Sequence, residues 1–478
     1  MRHLKKILAL AVLAWMAAAC AEESAPDASP QEQRAYTSDK LSLKLKPRIV
    51  DRIDNRKKWL TPPTGSDELD DFLRGAGASR ICRIFPYAGK DEDKQQREEL
   101  NCWYTVIIDQ SLSATTRGAL TRTLDEIASY VEPVAVPRLE ETKYILVDEP
   151  QAASTRSRFD DPLYTDQWNF RNTGAVGAYT DALGNQTTSS IAGADINIEP
   201  AWSLSTGDPD VIVAIVDGGI DTAHPDLKES LWTNPGEIPG NGIDDDNNGY
   251  VDDCHGYNFV DDNGTILPTE HGSHVAGVIA ARNNNGTGVC GIAGGNGAPG
   301  TGARLMSCQI FRKNPDYNPR DPRSREDIGT GDLNQTAAAI VYGANNGALI
   351  SQNSWGFDLD VRSTPRVIKE AIDYFEKYAG GSKTRRPLMK GGVVVFAASN
   401  DATAQPTYPA AEDNVISVAA WNPDFQPSWY TNYGETVDIA APGGSYPDRG
   451  KYPSEGGLPT SAVLSTVSTD ADGRGRYG

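Results

Sequence analysis

The chain has 478 residues, of which 38% are hydrophobic and 8% aromatic, as in a soluble globular protein with two or three domains. Its 65 acidic residues outnumber its 45 basic ones, so the formal charge is −20. An acidic surface repels phosphates, which argues against nucleic acid and anionic lipid headgroups as partners. The same surface leaves carboxylates available for divalent cations.

The N-terminus has the three-part pattern of an export signal. The segment MRHLKK is basic, ILALAVLAWMAAA is apolar, and small residues lead to Cys20. An apolar stretch of this length is too short to span a bilayer but suits a signal peptide, predicted over residues 1–20. Because AAAC resembles the lipobox of bacterial lipoproteins, we expect lipidation of Cys20 and anchoring at the cell envelope, on its periplasmic or its outer face. Ala17 replaces the usual larger aliphatic residue there, which keeps simple secretion open.

A polar segment follows, and then a small domain. Residues 21–45 are predicted to form a flexible tether and residues 46–155 a compact α+β module. In that module CWYTVIID is typical of a strand, SATTRGALTRTLDEIASY of a helix and TKYILVD of another strand. The polar stretch 149–161 is interpreted as an exposed linker.

The cysteines indicate disulfides rather than a metal site. An exported protein meets oxidising conditions, and no CxxC spacing indicates zinc. We therefore expect one disulfide between the first two cysteines after Cys20 and one among the other three, with at least one thiol left free. In chain order these residues are Cys82, Cys102, Cys254, Cys290 and Cys308.

Residues 156–478 alternate between strand-like and helix-like segments. DVIVAIVDGG, ARLMSCQIF, ALISQNSWG, GGVVVFAASN and NVISVAAW are typical of strands, and the segments between them include three amphipathic helices. This alternation predicts an α/β fold with a parallel sheet and helices on both faces. Reactive groups of such sheets collect at the carboxyl ends of the strands, here at Asp217, Ser354 and Asn400.

Two of the five histidines, His271 and His274, lie three residues apart in TEHGSHVAGVIAAR. They therefore share one face of the predicted helix, but zinc would need a third ligand, and neither His224 nor His255 has an informative spacing. Asp217 ends a buried strand, where a carboxylate is costly unless it has a partner. A simple turn-forming aspartate is the other interpretation of that residue taken alone.

Four motifs occur in one order, VAIVDGGIDTAHPDL, HGSHVAGVIAA, NSWG and VVVFAASND. In this order they resemble the subtilisin-like serine peptidases from about Asp160 onward. The resemblance implies hydrolysis of peptide bonds and makes Asp217 and His271 the triad aspartate and histidine, while His274 is structural. It makes Asn400 the donor to the oxyanion of the transition state.

The same resemblance locates the substrate strand. Ser354, Trp355 and Gly356 match the segment that pairs with extended substrate backbone. Ser399 stands where the family usually has glycine, so we expect a narrower primary specificity pocket. Asp226 matches a calcium-ligating aspartate in parts of the family.

A second signal is the acidic loop NGIDDDNNGYVDD, which indicates a structural calcium ion. Its acidic residues alternate and Gly249 permits a sharp turn, much as in an EF-hand, but His255 stands where the bidentate glutamate is expected. Asp252 or Asp253 is expected to substitute for it, as in similar calcium loops of subtilases, and a merely solvated acidic loop is the alternative. The predicted ligands are Asp244, Asp246, Asn248, Tyr250, Asp252 and Asp253.

The module over residues 46–155 resembles the inhibitory propeptide of the family, which assists folding and fills the active-site cleft until it is cut away. Maturation is expected between about Pro150 and Asp161. The protein's partners would then be protein or peptide substrates, its own propeptide and, through Cys20, a membrane.

The triad serine is missing. In the family a strand like AVLSTV is followed by a Gly-Thr-Ser-like segment, and this chain ends at Gly478, roughly where that segment should begin. Ser461 precedes the strand and is not expected to reach His271. We therefore expect this polypeptide to be inactive, with the C-terminal part of the fold missing, and favour an incomplete copy of an endopeptidase. The alternative is a lipid-anchored, non-catalytic protein that binds peptide or calcium.

Overall fold

A computed structural model describes residues 36–109, 114–139, 158–176, 179–180, 185–314, 327–330, 332–380, 388–445, 461–470 and 472–478. Cys20, the signal peptide and the TKYILVD segment lie outside these ranges, as does most of the expected maturation stretch. Within these ranges, no helix combines the length and the apolar character needed to cross a membrane.

The N-terminal domain is an antiparallel sheet covered by helices. Its sheet has the strand order β2-β3-β4-β1-β5, and α2 and α4 contribute to one apolar core with it. This confirms the predicted α+β module. The elements are β1 (Tyr36–Leu45), α1 (Pro47–Val50), β2 (Trp59–Leu60), α2 (Asp67–Gly75), β3 (Ile81–Arg83), α3 (Glu92–Arg97), β4 (Trp103–Ile107), α4 (Ala114–Ile127) and β5 (Ala128–Ala135).

The predicted tether over residues 21–45 extends too far. Residues 36–45 form β1, which lies between β4 and β5 and pairs with both. Leu41, Leu43 and Leu45 are fully buried in the core, whereas Ser42 and Lys44 between them face the other side of the sheet. This period of two is a strand signal that the polar composition of the preceding residues concealed.

The C-terminal domain is built on a seven-stranded sheet with the order β10-β11-β9-β14-β16-β17-β18, in which every pair is parallel. Its strands are β9 (Ile212–Asp217), β10 (Gly256–Asn258), β11 (Arg304–Gln309), β14 (Ile350–Asn353), β16 (Val393–Ala397), β17 (Ile416–Trp421) and β18 (Ile439–Pro442). In the described part of this domain the sheet is accompanied by the helices α5 (Ile198–Trp202), α6 (Glu270–Ala280), α7 (Leu333–Asn345) and α8 (Arg366–Tyr378).

Eight short strands form pairs outside the two large sheets. These pairs are β6 (Arg138–Leu139) with β15 (Trp355–Gly356), β7 (Tyr179–Thr180) with β8 (Gln186–Thr187), β12 (Phe311–Lys313) with β13 (Asp327–Thr330), and β19 (Thr466–Val467) with β20 (Arg476–Tyr477). Among these pairs of described residues, the first joins the two domains, and it lies at the candidate site.

Strand β9 shows why the large sheet carries helices on both faces. Val213 and Ile215 are buried in one core together with residues of α6, whereas Ala214 and Val216 are buried in another together with α7 and α8. Successive side chains of a strand point to opposite faces, so a continuous apolar run is required here. The predicted α/β architecture is confirmed.

The two domains meet where the N-terminal sheet packs on α7 and α8. Ser42 Oγ donates to Asn334 Oδ1 at 2.8 Å, and Lys44 Nζ lies 3.0 Å from Glu370 Oε2. Glu132 accepts the backbone N–H groups of Arg366 and Val367 at 2.9 and 3.1 Å. Since Pro365 makes no side-chain cap of its own, a carboxylate of the other domain caps α8.

The predicted disulfides are not present: the five cysteines in the described ranges are free thiols. Cys82 lies opposite Thr105 in the β3–β4 ladder, which places Cys102 three residues further along. That offset is roughly 10 Å along a strand, beyond the limit of about 7 Å between the Cα atoms of a disulfide. Cys290 and Cys308 are buried in separate apolar clusters.

Candidate active site

Asp217 and His271 form a hydrogen-bonded pair. Asp217 is the last residue of β9 and His271 the second of α6, and the ring Nδ1–H donates to Asp217 Oδ1 at 2.7 Å. A neutral imidazole with its proton on Nδ1 carries its lone pair on Nε2, which is the form required of a base. Both side chains are buried, so water competes little with this bond. The sequence prediction placed these two residues together.

The glycines of both motifs permit this close approach. A Cβ on Gly218 would lie 2.1 Å from Thr269 Oγ1, and one on Gly272 would lie 2.4 Å from the Gly218 carbonyl oxygen. Thr269 caps α6 by accepting the Gly272 N–H at 3.0 Å. The turn after β9 and the first turn of α6 are therefore in close contact. This contact fixes the position of His271 relative to Asp217.

His274 lies beside the C-terminal hairpin. Its Nε2–H donates to the Val463 carbonyl at 3.0 Å, and burial lowers the pKa of His274 to about 4. Ser465 and Thr466 donate to carbonyls of α6 at 2.8 and 2.7 Å. The predicted AVLSTV strand is thus observed only as the short β19, which lies on α6 rather than in the large sheet.

Glu270 ties the same hairpin to the start of α6. It accepts the Ser468 N–H at 2.8 Å and an Arg476 guanidinium N–H at 2.7 Å. Ser461 is fully buried, donates to the Ser445 carbonyl at 2.9 Å and accepts the Ser445 N–H at 3.0 Å. These bonds give Ser461 a structural role between residues 445 and 461.

The carboxyl ends of three neighbouring strands meet at the site. Strands β9, β14 and β16 are adjacent in the sheet, so Asp217, Ser354 and Asn400 follow the same edge. Asn400 is exposed, three residues beyond β16, and is therefore accessible to a ligand. Ser399 before it is buried and has a φ of +78°, a conformation that favours glycine and costs a serine roughly 1 kcal/mol.

The predicted substrate strand is occupied by the chain itself. Trp355 and Gly356 pair antiparallel with Leu139 and Arg138 of β6, which directly follows the N-terminal sheet. Trp355 is fully buried and donates from Nε1 to Asn353 Oδ1 at 3.2 Å, which anchors the strand to β14. The anchoring leaves the other backbone edge of β15 to pair with an extended chain, here β6.

The acidic loop contains a three-carboxylate cluster that differs from the predicted ligand set. Oxygens of Glu237, Asp244 and Asp246 lie within 4.8 Å of one another. Burial is the first cause of a raised pKa at both Glu237 and Asp244. Glu237 Oε2 is buried without a hydrogen-bond partner in the described part of the chain. Clustered carboxylates are the donors that hard divalent cations prefer, and Glu237 was not among the ligands predicted from the sequence.

The other predicted ligands bind within the protein instead. Asp252 accepts the backbone N–H groups of residues 241 and 242, and the Asn248 amide bridges to Asp253 at 3.0 Å. Asp253 is fully buried beneath the Tyr342 hydroxyl, and burial raises the pKa of Asp253 to about 7. Tyr250 is buried among aromatic rings.

Asp226 belongs to a separate buried region. Its carboxylate accepts the Asn285 amide at 2.8 Å and the Val289 N–H at 3.0 Å. Asp161 accepts the neighbouring Asn284 N–H at 2.7 Å, and burial raises the pKa of Asp161 to about 6. The two aspartates therefore join the start of the C-terminal domain to the segment after α6.

Comparison with known proteins gives serine proteases among the relatives of this chain. The thermophilic serine proteinase of Bacillus sp. (strain AK1) is 30% identical over 51% of this chain and 46% of that protein. The halolysin-like extracellular serine protease Nep of Natrialba magadii is 29% identical over 58% of this chain and 42% of that protein. The chain thus spans about half the length of these curated relatives.

The crystal structure of fervidolysin from Fervidobacterium pennivorans, a keratinolytic enzyme related to subtilisin, has the same fold. It aligns with a TM-score of 0.51 and 20% identity, over 94% of this chain and 52% of that chain. The model of the N-terminal domain of the subtilase family matches residues 41–174, and the subtilase family model matches residues 208–475. Because the second match covers more than half of the chain, the chain belongs to the subtilase family of subtilisin-like serine peptidases.

Proposed function

We propose that the natural protein is an exported endopeptidase that hydrolyses proteins or peptides with an Asp-His-Ser triad. The observation that carries this proposal is the buried Asp217–His271 hydrogen bond beside β15, a strand that already holds an extended peptide segment. The family pattern assigns the nucleophile to a Gly-Thr-Ser-like segment, which residues 1–478 do not contain. In our proposal the natural protein carries that serine outside these residues.

Each described group then has one task in acyl transfer. His271 Nε2 accepts the serine hydroxyl proton during attack and returns it to the leaving amine. Asp217 keeps the other ring nitrogen protonated and stabilises the imidazolium, an effect that burial strengthens. The exposed Asn400 amide donates to the oxyanion as charge develops, and such a donor lowers the barrier by roughly 3–4 kcal/mol.

The N-terminal domain acts as an intramolecular inhibitor in this proposal. Strand β6 occupies the edge of β15 where a substrate backbone would pair, so a substrate and this segment exclude each other. The contacts of Lys44 and Glu132 with α8 hold the domain in place. Activation therefore requires cleavage of the chain between the domains and release of the N-terminal domain.

We also propose a structural calcium ion held by Glu237, Asp244 and Asp246. Three convergent carboxylates with one unpartnered buried oxygen fit a hard divalent cation, which prefers oxygen ligands. The ion would neutralise their mutual repulsion and order the loop, and it has no part in catalysis. Isothermal titration with CaCl₂ tests the site, and Glu237→Gln should abolish the binding heat.

The proposed location is the bacterial cell envelope, with Cys20 as the lipidated first mature residue. The AAAC sequence supports this anchor, and secretion without an anchor is the alternative. Membrane fractionation and mass spectrometry of the mature N-terminus distinguish them. Loss of the Cys20→Ser variant from the membrane fraction is the result expected for an anchor.

The decisive experiment uses the protein from its native cells. Its intact mass and C-terminal peptides show whether a Gly-Thr-Ser-like segment is present, and a casein assay measures hydrolysis. We expect hydrolysis that falls on the order of 10⁴- to 10⁶-fold in His271→Ala, the range that removal of single triad members causes in subtilisin. A natural protein that lacks the segment and cleaves nothing would instead be a non-catalytic binder of peptide or calcium.

A further inference from the structure

Arg138 of β6 lies between two carboxylates beside β15. Its Nη2 lies 3.0 Å from Asp401 Oδ1 and 3.2 Å from Asp401 Oδ2, and its Nη1 lies 3.7 Å from Asp358 Oδ1. The Arg138 backbone is paired with Gly356 at the same point. The side chain therefore extends from a residue bound in substrate-like fashion, and the acidic groups that receive it belong to the peptidase domain.

Both carboxylates are fixed by their position beside the catalytic elements. Asp358 follows β15 by two residues, and Asp401 directly follows Asn400. The Asp401 backbone N–H donates to Asn432 Oδ1 at 2.8 Å, which holds this turn in place. The Asp401 side chain is only 16% exposed, so its charge is shielded from water more than that of an ordinary surface residue.

The electrostatics of the pair require a cation. Burial raises the pKa of Asp358, the Arg138 charge lowers it, and the nearby Asp401 and Asp360 raise it again. Two carboxylates that face one space repel each other unless a positive group lies between them. A guanidinium satisfies both through its several N–H donors. When the N-terminal domain leaves, this space loses its cation.

We propose that Asp358 and Asp401 form a subsite for a basic side chain of the polypeptide in the cleft, occupied here by Arg138 and in the active protein by arginine or lysine of a substrate. This inference rests on the proposed peptidase function and adds a substrate class to it. The formal charge of −20 acts in the same direction, because an acidic protein attracts cationic peptides.

Hydrogen exchange on the full chain tests the subsite without any activity. Arg138→Ala and Asp401→Asn should each accelerate exchange of the peptides that contain Trp355 and Gly356 about 5- to 20-fold, as expected for a partly exposed ion pair with charge-assisted hydrogen bonds. The double variant should accelerate it no further, since both changes remove the same interaction. Arg138→Lys should retain most of the protection.

A matched control is an interdomain ion pair away from the cleft. Lys377 Nζ lies 2.7 Å from Glu98 Oε1, so Lys377→Ala removes one such pair without contact with β15. In Lys377→Ala, the rate of hydrogen exchange at Trp355 and Gly356 should equal that of the parent chain. Equal acceleration by Lys377→Ala and Arg138→Ala, or additive effects of Arg138→Ala and Asp401→Asn, would overturn the subsite.

A second arm uses the natural protein after release of its N-terminal domain. Arginine, glutamine and glutamate are placed in turn at each of the four positions before the cleaved bond of a peptide. We expect arginine to raise kcat/KM over glutamine about 5- to 20-fold at one position, and Asp358→Asn to reduce that arginine-to-glutamine ratio. Cleavage of all peptides without a preference for arginine refutes the subsite. If no peptide is cleaved, the proposed function is refuted, and the subsite is then tested by the hydrogen-exchange experiment alone.

Discussion

Asp217 is a residue whose buried charge opposes folding stability but suits the proposed chemistry. Its side chain is fully buried, and its Oδ2 has no donor within hydrogen-bonding distance among the described residues. A buried charge with one unsatisfied oxygen lowers stability, but in the proposed mechanism the same charge makes His271 a better base.

The Asp217→Asn variant separates these two roles. We expect kcat of the natural enzyme to fall about 10⁴-fold, because the imidazole would adopt the wrong tautomer. Its melting temperature should not fall, since a neutral amide costs less to bury than a carboxylate. The exposed Asp210 at the start of the same segment is the control, and Asp210→Asn should change neither quantity. A large loss of stability in Asp217→Asn would show that the carboxylate is held for folding.

Ser399 allows a second prediction at this scale. Its φ of +78° means that Ser399→Gly should stabilise the protein by roughly 1 kcal/mol, a rise of a few degrees in melting temperature. Loss of the side chain next to Asn400 should also raise kcat/KM for peptides with large residues before the cleaved bond. Ala402, with a φ of +52° in the same loop, is the matched control. Ala402→Gly should stabilise without changing the preference, and equal preferences in both variants would place Ser399 outside the pocket.

The residues of the site differed in how far the sequence could predict them. Asp217 and His271 lie in motifs whose glycines are needed for packing, so the pattern carries the geometry with it. Glu237 stands seven residues before Asp244 in a stretch without periodicity, and only the folded loop brings them together. Asp253 had the right composition for a ligand, but its burial beneath Tyr342 depends on tertiary packing.

At the scale of elements, helix α8 begins with a cap that another domain supplies. Glu132 accepts two backbone N–H groups at its first turn, and burial, the largest cause, raises the pKa of Glu132 from 4.5 to about 7. The docked state therefore binds a proton more tightly than the separated domain does. Docking is strongest below pH 4.5, weakens as the pH rises towards 7, and stays constant above it.

This sign gives a prediction for hydrogen exchange at the start of α8. After correction for intrinsic rates, opening should increase between pH 5 and 7 in the parent chain and become independent of pH in Glu132→Gln. Glu132→Ala should weaken docking at all pH values by about 1–2 kcal/mol, since two N–H groups lose their acceptor. Glu98→Gln at the same interface is the control and should keep the slope, because bonds from Lys377 and Tyr378 lower the pKa of Glu98. If opening of α8 in the parent chain does not depend on pH between 5 and 7, the prediction is contradicted.

Strands and helices with a regular hydrophobic period could be predicted from the sequence, whereas two-residue strand pairs could not. The apolar run of β9 and the amphipathic pattern of α8 lie within a few residues of their predicted positions. The β6–β15 pair joins two residues near position 138 to two near 355, and such a pair leaves no periodic pattern in the sequence. Its existence follows from docking of the whole N-terminal sheet on α7 and α8.

At the scale of the whole molecule, the acidic loop lies between the two domains. A Cβ on Gly89 of the N-terminal domain would lie 2.4 Å from the Asn247 carbonyl oxygen, and one on Gly249 would lie 2.7 Å from Pro86 Cβ. The loop that carries Glu237, Asp244 and Asp246 is therefore packed tightly against residues 86–89. An ion that orders the loop would also order the surface on which the N-terminal domain rests.

Removal of calcium should accordingly lower the stability of both domains. An ion present at 100 times its dissociation constant adds about 2.7 kcal/mol, so we expect EDTA to lower the melting temperature by several degrees. Exchange of residues 86–91 should accelerate at the same time. In Glu237→Gln the melting temperature should be low with or without calcium.

Asp252→Asn is the matched variant that tells a ligand from a loop-building residue. Asp252 accepts two backbone N–H groups of the loop at 3.0 and 2.9 Å and is not in the carboxylate cluster. Its loss should destabilise the protein at every calcium concentration, yet leave the response to EDTA intact. If Asp252→Asn removes that response and Glu237→Gln does not, the ion is bound by the second half of the loop, and the coupling to residues 86–89 must run through Asp252.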